Sequence, residues 1–126
     1  MRENIRCVER FRRIFAPVKC ANGGIYSLRE DAILMPHKEV VALLKRGGIR
    51  FVGRGESARV KIDGKEYVVL LRDGLAVGYD LVRRAEKVLG RNIFWVLGHG
   101  NRVAISNGEY AIVLRAVPIN VIDAWL

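Results

Sequence analysis

Apolar residues return at helical spacing in three stretches and alternate in short runs between them. Segment 38–46 (Lys38-Glu39-Val40-Val41-Ala42-Leu43-Leu44-Lys45-Arg46) is rich in helix formers. It opens at Pro36 or His37 and is stopped by Gly47-Gly48. Segment 81–89 carries Leu81, Val82, Ala85, Val88 and Leu89 on one face, follows Tyr79-Asp80 and ends at Gly90. Segment 5–14 carries Ile5, Cys7, Val8, Phe11 and Ile14 against Arg6, Arg10, Arg12 and Arg13. Strands are predicted at 18–21, 25–28, 32–35, 49–52, 59–62, 66–71, 93–97, 102–105 and 109–115. Gly-rich turns at 22–24, 53–56 and 98–100 separate some of them. Asp63-Gly64 and Asn107-Gly108 are hairpin signals.

The chain also repeats itself. Arg59-Val60-Lys61-Ile62 with Glu66-Tyr67-Val68-Val69-Leu70-Leu71-Arg72 returns 43 positions later as Arg102-Val103-Ala104-Ile105 with Glu109-Tyr110-Ala111-Ile112-Val113-Leu114-Arg115. A fixed period of this size marks a duplicated supersecondary unit. The fold class expected is α+β: tandem αβββ repeats, antiparallel sheets packed by helices. Residues 37–73 form one repeat, 79–116 a second and 1–36 a degenerate third, all within a single domain 1–126. On this reading Asn107-Gly108 stands in the place of Asp63-Gly64. The apolar tail 117–126 is expected to pack on the core or on a partner chain.

With 51% hydrophobic residues, 126 residues can build a core without staples. No apolar run approaches the length of a membrane span, and the N-terminus has no signal-peptide pattern. A cytoplasmic protein, away from membranes, is expected. The absence of Gln, with abundant Arg, Val and Ile, suggests a thermophile. Cys7 and Cys20 read as buried small hydrophobes, with a Cys7–Cys20 disulfide as the alternative.

A net charge of +9 and a pI of about 10.2 point to a polyanionic partner. The cations are mostly arginine, whose planar fork donates two parallel hydrogen bonds to phosphate. The candidate nucleic-acid contacts are Arg50, Arg54, Arg59, Arg91 and Arg102. Arg59 with Arg102, and Arg72 with Arg115, hold matching places in the two copies. Plain edge-blunting of strands is the competing use of these residues. Phe51, Phe94, Trp95, Tyr26, Tyr67 and Tyr110 lie on predicted strands, where they could stack bases but more simply build the core. His99, in a basic turn, is a candidate acid or base, and His37 reads as a helix-start residue. No cofactor or metal motif is present.

The helix–strand–strand–strand order is similar to the core of restriction-type nucleases. They need an acidic residue on the second strand and an acid-x-Lys on the third. Here the third strands read Glu66-Tyr67-Val68 and Glu109-Tyr110-Ala111, without the Lys, which disfavours a metal-dependent nuclease. In topology alone the order also resembles the C-terminal domain of archaeal tRNA-splicing endonucleases and the small toxin RNases with a double-stranded-RNA-binding-like fold. The chain keeps neither motif in full, and no site residue is carried over. The expectation is a non-catalytic nucleic-acid-binding protein, RNA favoured over DNA. The alternatives are a non-catalytic subunit of an RNA-processing or ribonucleoprotein assembly, joined to a protein partner or its own copy through the tail, and a small metal-independent RNase acting through His99.

Overall fold

The computed structural model describes residues 2–21, 24–29, 31–45, 50–52, 57–70, 74–97 and 101–120. The chain is α+β, and the described residues form three helices and two antiparallel sheets. In order, the elements are α1 (Arg2–Ile14), β1 (Val18–Ala21), β2 (Gly24–Ser27), β3 (Ile33–Pro36), α2 (His37–Lys45), β4 (Arg50–Val52), β5 (Ser57–Ile62), β6 (Lys65–Leu70), β7 (Leu75–Gly78), α3 (Tyr79–Leu89), β8 (Phe94–Leu97), β9 (Arg102–Ser106), β10 (Tyr110–Arg115) and β11 (Val117–Pro118). Seven strands form one sheet in the order β1-β2-β3-β10-β9-β8-β4, and four form the other in the order β11-β7-β6-β5. The chain passes from the larger sheet to the smaller between Arg115 and Val117.

The core lies between the sheets. It joins Cys7 and Phe11 of α1 with Val82, Ala85, Val88 and Leu89 of α3. From the sheets come Leu34, Trp95, Val103, Ile105, Ile112 and Leu114 on one side and Val68, Leu70, Leu75 and Val77 on the other. Helical spacing places Phe11 and Phe15 on one face of the N-terminal segment, and their rings stack 4.8 Å apart. The Arg84 guanidinium lies 4.8 Å over the Phe15 ring and donates to the Ile14 carbonyl, tying the end of α1 to α3. The opposite face of the seven-stranded sheet holds α2, where Val40 meets Met35, Val96, Ala104, Ala111 and Val113.

The two repeated hairpins differ in register. In β5–β6 the turn falls on Asp63 and Gly64, both at positive φ (51° and 81°), and Ile62 pairs with Lys65. That is the geometry an Asp-Gly loop favours. In β9–β10 the turn falls on Gly108 and Glu109, one position beyond Asn107-Gly108 and two beyond the place the 43-residue period gives it. Asn107 does not occupy the turn; it braces it. Its Oδ1 accepts from the Glu109 and Tyr110 amides at 2.9 and 2.8 Å, and its Nδ2 donates to the Leu89 carbonyl at 3.1 Å. Arg59 therefore faces Val68 across its hairpin, whereas Arg102 faces Arg115. The shift is even, so side chains stay on the same face while their partners change.

Three other expectations are corrected. The first strand after α2, β4, does not join β5 and β6; it pairs with β8 at the edge of the larger sheet. A strand not anticipated, β7, pairs with β6 and runs directly into α3. Both cysteines are free thiols, and only Cys7 is buried; Cys20 sits exposed on the edge strand β1, with Arg12 Nη2 3.6 Å away. Burial pushes the Cys7 thiol above its ordinary pKa, and its Sγ lies 3.5 Å from the Val88 carbonyl. Among the described residues no helix is long and apolar enough to cross a membrane.

Candidate nucleic-acid interface

Helix α3 is amphipathic, and its buried side leaves a polar side made of Asp80, Arg83, Glu86 and Lys87. The helix ends at Gly90, whose φ of 95° is a conformation few other residues adopt. Its amide donates to the Glu86 carbonyl at 2.8 Å. Arg91 follows at once. Arg83 and Lys87 form a stripe one helical turn apart, and Arg91, just past the helix, lines the same cleft as both. Lys87 also stands at the carboxyl end of the helix, where its charge complements the dipole.

Two adjoining clefts run along this stripe. One, of about 690 Å³, is bounded by Ser57, Arg83, Lys87, Arg91, Ile93 and Phe94. The other, of about 580 Å³, is bounded by Arg59, Lys65, Glu66, Tyr79, Asp80 and Arg83. Arg83 lines both. Ser57 and Arg59 alternate along the edge strand β5, so each projects to the same side of the small sheet. The two clefts thus share β5 on one wall and α3 on the other.

At the second cleft the Arg59 guanidinium lies 4.0 Å over the half-buried Tyr79 ring, and that of Arg83 lies 5.8 Å from the ring centre. Arg59 Nη2 also donates to Glu66 Oε2 at 2.5 Å. That bond, the largest influence on both partners, holds the Glu66 carboxyl below its ordinary pKa and raises that of Arg59. The pair is solvent-exposed, so water and salt screen it. Among the described residues Lys87 and Arg91 have no ion pair. Among the described residues five cations, Arg59, Lys65, Arg83, Lys87 and Arg91, border the clefts against three acids, Glu66, Asp80 and Glu86.

Of the five arginines singled out in the sequence, the structure brings Arg59 and Arg91 to this pair of clefts. Arg102 lies elsewhere. It opens β9 on the α2 side of the seven-stranded sheet, where Ala104 and Val113 face the same way. Its sequence match with Arg59 is not a spatial match, because the two hairpins belong to different sheets. The backbone of Arg50 lies in β4, paired with Leu97 at the far edge of that larger sheet. Arg54, Arg72, His99 and the tail from residue 121 lie outside the described residues. Sequence reading missed Arg83, Lys87, Lys65 and Tyr79. The four-residue spacing from Arg83 to Lys87 on a helix was the signal available for the first two. Tyr79 gave none, since its neighbour Arg59 comes from another element.

His37 has a structural task. Its amide donates to the Glu109 carbonyl at 2.9 Å, and its Nδ1 is 2.7 Å from Ser106 Oγ. Ser106 is fully buried, accepts from the Gly108 amide at 3.0 Å and donates to the Tyr110 carbonyl at 3.2 Å. A hydroxyl so enclosed pins the start of α2 to the β9–β10 turn and is not placed to attack a substrate. Among the described residues no group of three or more His, Cys, Asp or Glu side chains could hold a metal ion.

Comparison with known proteins gives no matching family model, no similar curated protein and no similar solved structure.

Proposed function

We propose that this protein binds nucleic acid without cleaving it, and that single-stranded RNA is favoured over DNA. The observation that carries the reading is the meeting of Arg83 and Lys87 on α3, and of Arg91 just past its end, with Arg59 on β5 along two adjoining clefts. Guanidinium groups at such a groove suit the regular charge of a phosphate backbone. The half-buried Tyr79 ring carries the Arg59 guanidinium 4.0 Å over it, and a guanidinium plane is one of the surfaces on which unpaired bases stack. The overall charge of +9 adds long-range attraction to any polyanion. Contacts from Arg59 and Arg91 belong to this reading; Arg102 does not share their clefts.

The tandem αβββ repeat is likewise our proposal. Helices α2 and α3 begin at His37 and Tyr79, 42 positions apart, each directly from a strand of a three-strand meander. A duplicated unit whose strands were later shared between two sheets accounts for that spacing.

Fluorescence anisotropy with a labelled single-stranded RNA tests the function. Four phosphate contacts lose about 50-fold in affinity as salt rises from about 50 to about 200 mM, at a slope of about −0.7 per contact. The Lys87→Glu/Arg91→Glu variant is expected to flatten that slope by at least about 1.4. Salt-insensitive binding, or no binding to any RNA or DNA, would end the proposal. Cleavage of the RNA during the measurement would replace it with the RNase reading.

A further inference from the structure

The α2 side of the seven-stranded sheet carries a second cavity, of different chemistry. Its volume is about 360 Å³, and its walls are Tyr26, Ile33, Met35, Val40, Leu43 and Val113. Among the described residues Arg102 is the only charged one lining it. The pairings β2–β3, β3–β10 and β10–β9 explain the composition. Tyr26 pairs with Ile33, Ile33 with Val113, and Val113 with Ala104, so all four side chains share one sheet face under α2. Leu43, on α2, is 51% exposed and leaves an apolar wall open to water.

The charge at this cavity is unbalanced. Arg102 pairs directly with Arg115, and like charges facing each other across a ladder repel. Asp31 Oδ2 lies 3.3 Å from Arg115 Nη1. No described residue forms an ion pair with Arg102. An apolar cavity with a few convergent polar groups is the usual form of a small-ligand site, and Arg102 supplies a charged one here. An anionic head on Arg102 would relieve the repulsion while an apolar tail filled the space under α2.

We infer that this cavity binds a small amphiphilic carboxylate, a saturated chain of about eight to ten carbons with its head on Arg102. The inference stands apart from the nucleic-acid reading, because its residues line neither α3 cleft.

Calorimetric titration of the whole chain with decanoate tests it, with hexanoate, octanoate and 1-decanol as comparators. One site is expected, with affinity rising about threefold to fourfold for each added methylene. Arg102→Gln should weaken decanoate at least about tenfold, the loss of one charge-assisted contact, and leave decanol unchanged. Val113→Phe, which fills the space, should abolish binding of both. Thermal unfolding of each variant confirms that it folds, and Val113→Met replaces Val113→Phe if the larger ring does not. Absence of saturable binding overturns the inference. So does equal binding of decanoate and decanol, or decanoate binding that survives both Arg102→Gln and the filling substitution. Concentration-dependent dimerisation in sedimentation that is lost in Leu43→Asp would assign the face to a second copy of the chain and also overturn it.

Discussion

The hairpins β5–β6 and β9–β10 are built from nearly the same residues and live in different surroundings. β5 is the edge of the four-stranded sheet, and β9 lies between β8 and β10 inside the seven-stranded one. Val60 and Ile62 are half-buried, whereas their sequence matches Val103 and Ile105 are fully buried. Lys61 is exposed, and its match Ala104 is buried beneath α2. A charged side chain blunts an edge strand, and a small one lets a helix sit on a central strand. The shared residues thus encode a hairpin, while the differing ones encode its neighbours. The same division runs through the arginines. Arg59 meets Tyr79 and Glu66 at the α3 clefts, and Arg102 stands beside an apolar cavity on the far side of the other sheet.

The strongest way to break this contrast is to exchange the residues that set it. Ala104→Lys places an unpaired charge where no side chain atom is exposed and should cost at least about 3 kcal/mol, enough to unfold a marginal domain. Lys61→Ala should change stability by no more than about 0.5 kcal/mol. Urea unfolding of the two variants reads both. Equal costs would mean that β5 is as enclosed as β9.

A smaller effect sharpens the contrast through pH. In the first hairpin the Arg59 bond lowers the Glu66 pKa, so the stability it supplies is present above the unfolded value and is lost as pH falls through the lower folded value. In the second hairpin burial raises the Tyr110 pKa, so its contribution is full below the unfolded value and is lost as pH climbs through the higher folded one. NMR titration should therefore show Glu66 ionising below, and Tyr110 above, the ordinary range for each type. Arg59→Gln should raise the Glu66 pKa toward the ordinary carboxylate range, with Lys61 and Arg83 still holding it down, and leave Tyr110 unchanged.

Local signals carried much of the fold into the sequence. The three amphipathic helices lie close to where their periodicity places them, and Asp63-Gly64 forms the turn its type favours. What failed was partner choice, a property of distant residues. Nothing in Arg50-Phe51-Val52 announces β8 as its neighbour, and Leu75-Ala76-Val77 between two glycines is too short to read as β7. Asn107-Gly108 misled because Asn can brace a turn from beside it as well as occupy it. At the candidate interface, Arg59 and Arg91 were legible by charge. Arg83 and Lys87 read as the solvent face of a helix, which they also are. Arg102 shared its sequence setting with Arg59, and only the sheet order separates them. The bond between His37 and Ser106 joins residues 69 positions apart, beyond the reach of any local pattern.

We propose that one pair of clefts, and not the whole basic surface, carries the interaction with nucleic acid. The most direct test compares two charge reversals in the same anisotropy experiment with single-stranded RNA at low salt. Lys87→Glu/Arg91→Glu and Arg102→Glu/Arg115→Glu change the net charge equally, the first pair at the α3 clefts and the second on β9–β10. The expected loss is at least about tenfold for the first and less than about threefold for the second, the residual effect of net charge alone. Equal losses would contradict it and return the binding to unlocalised charge.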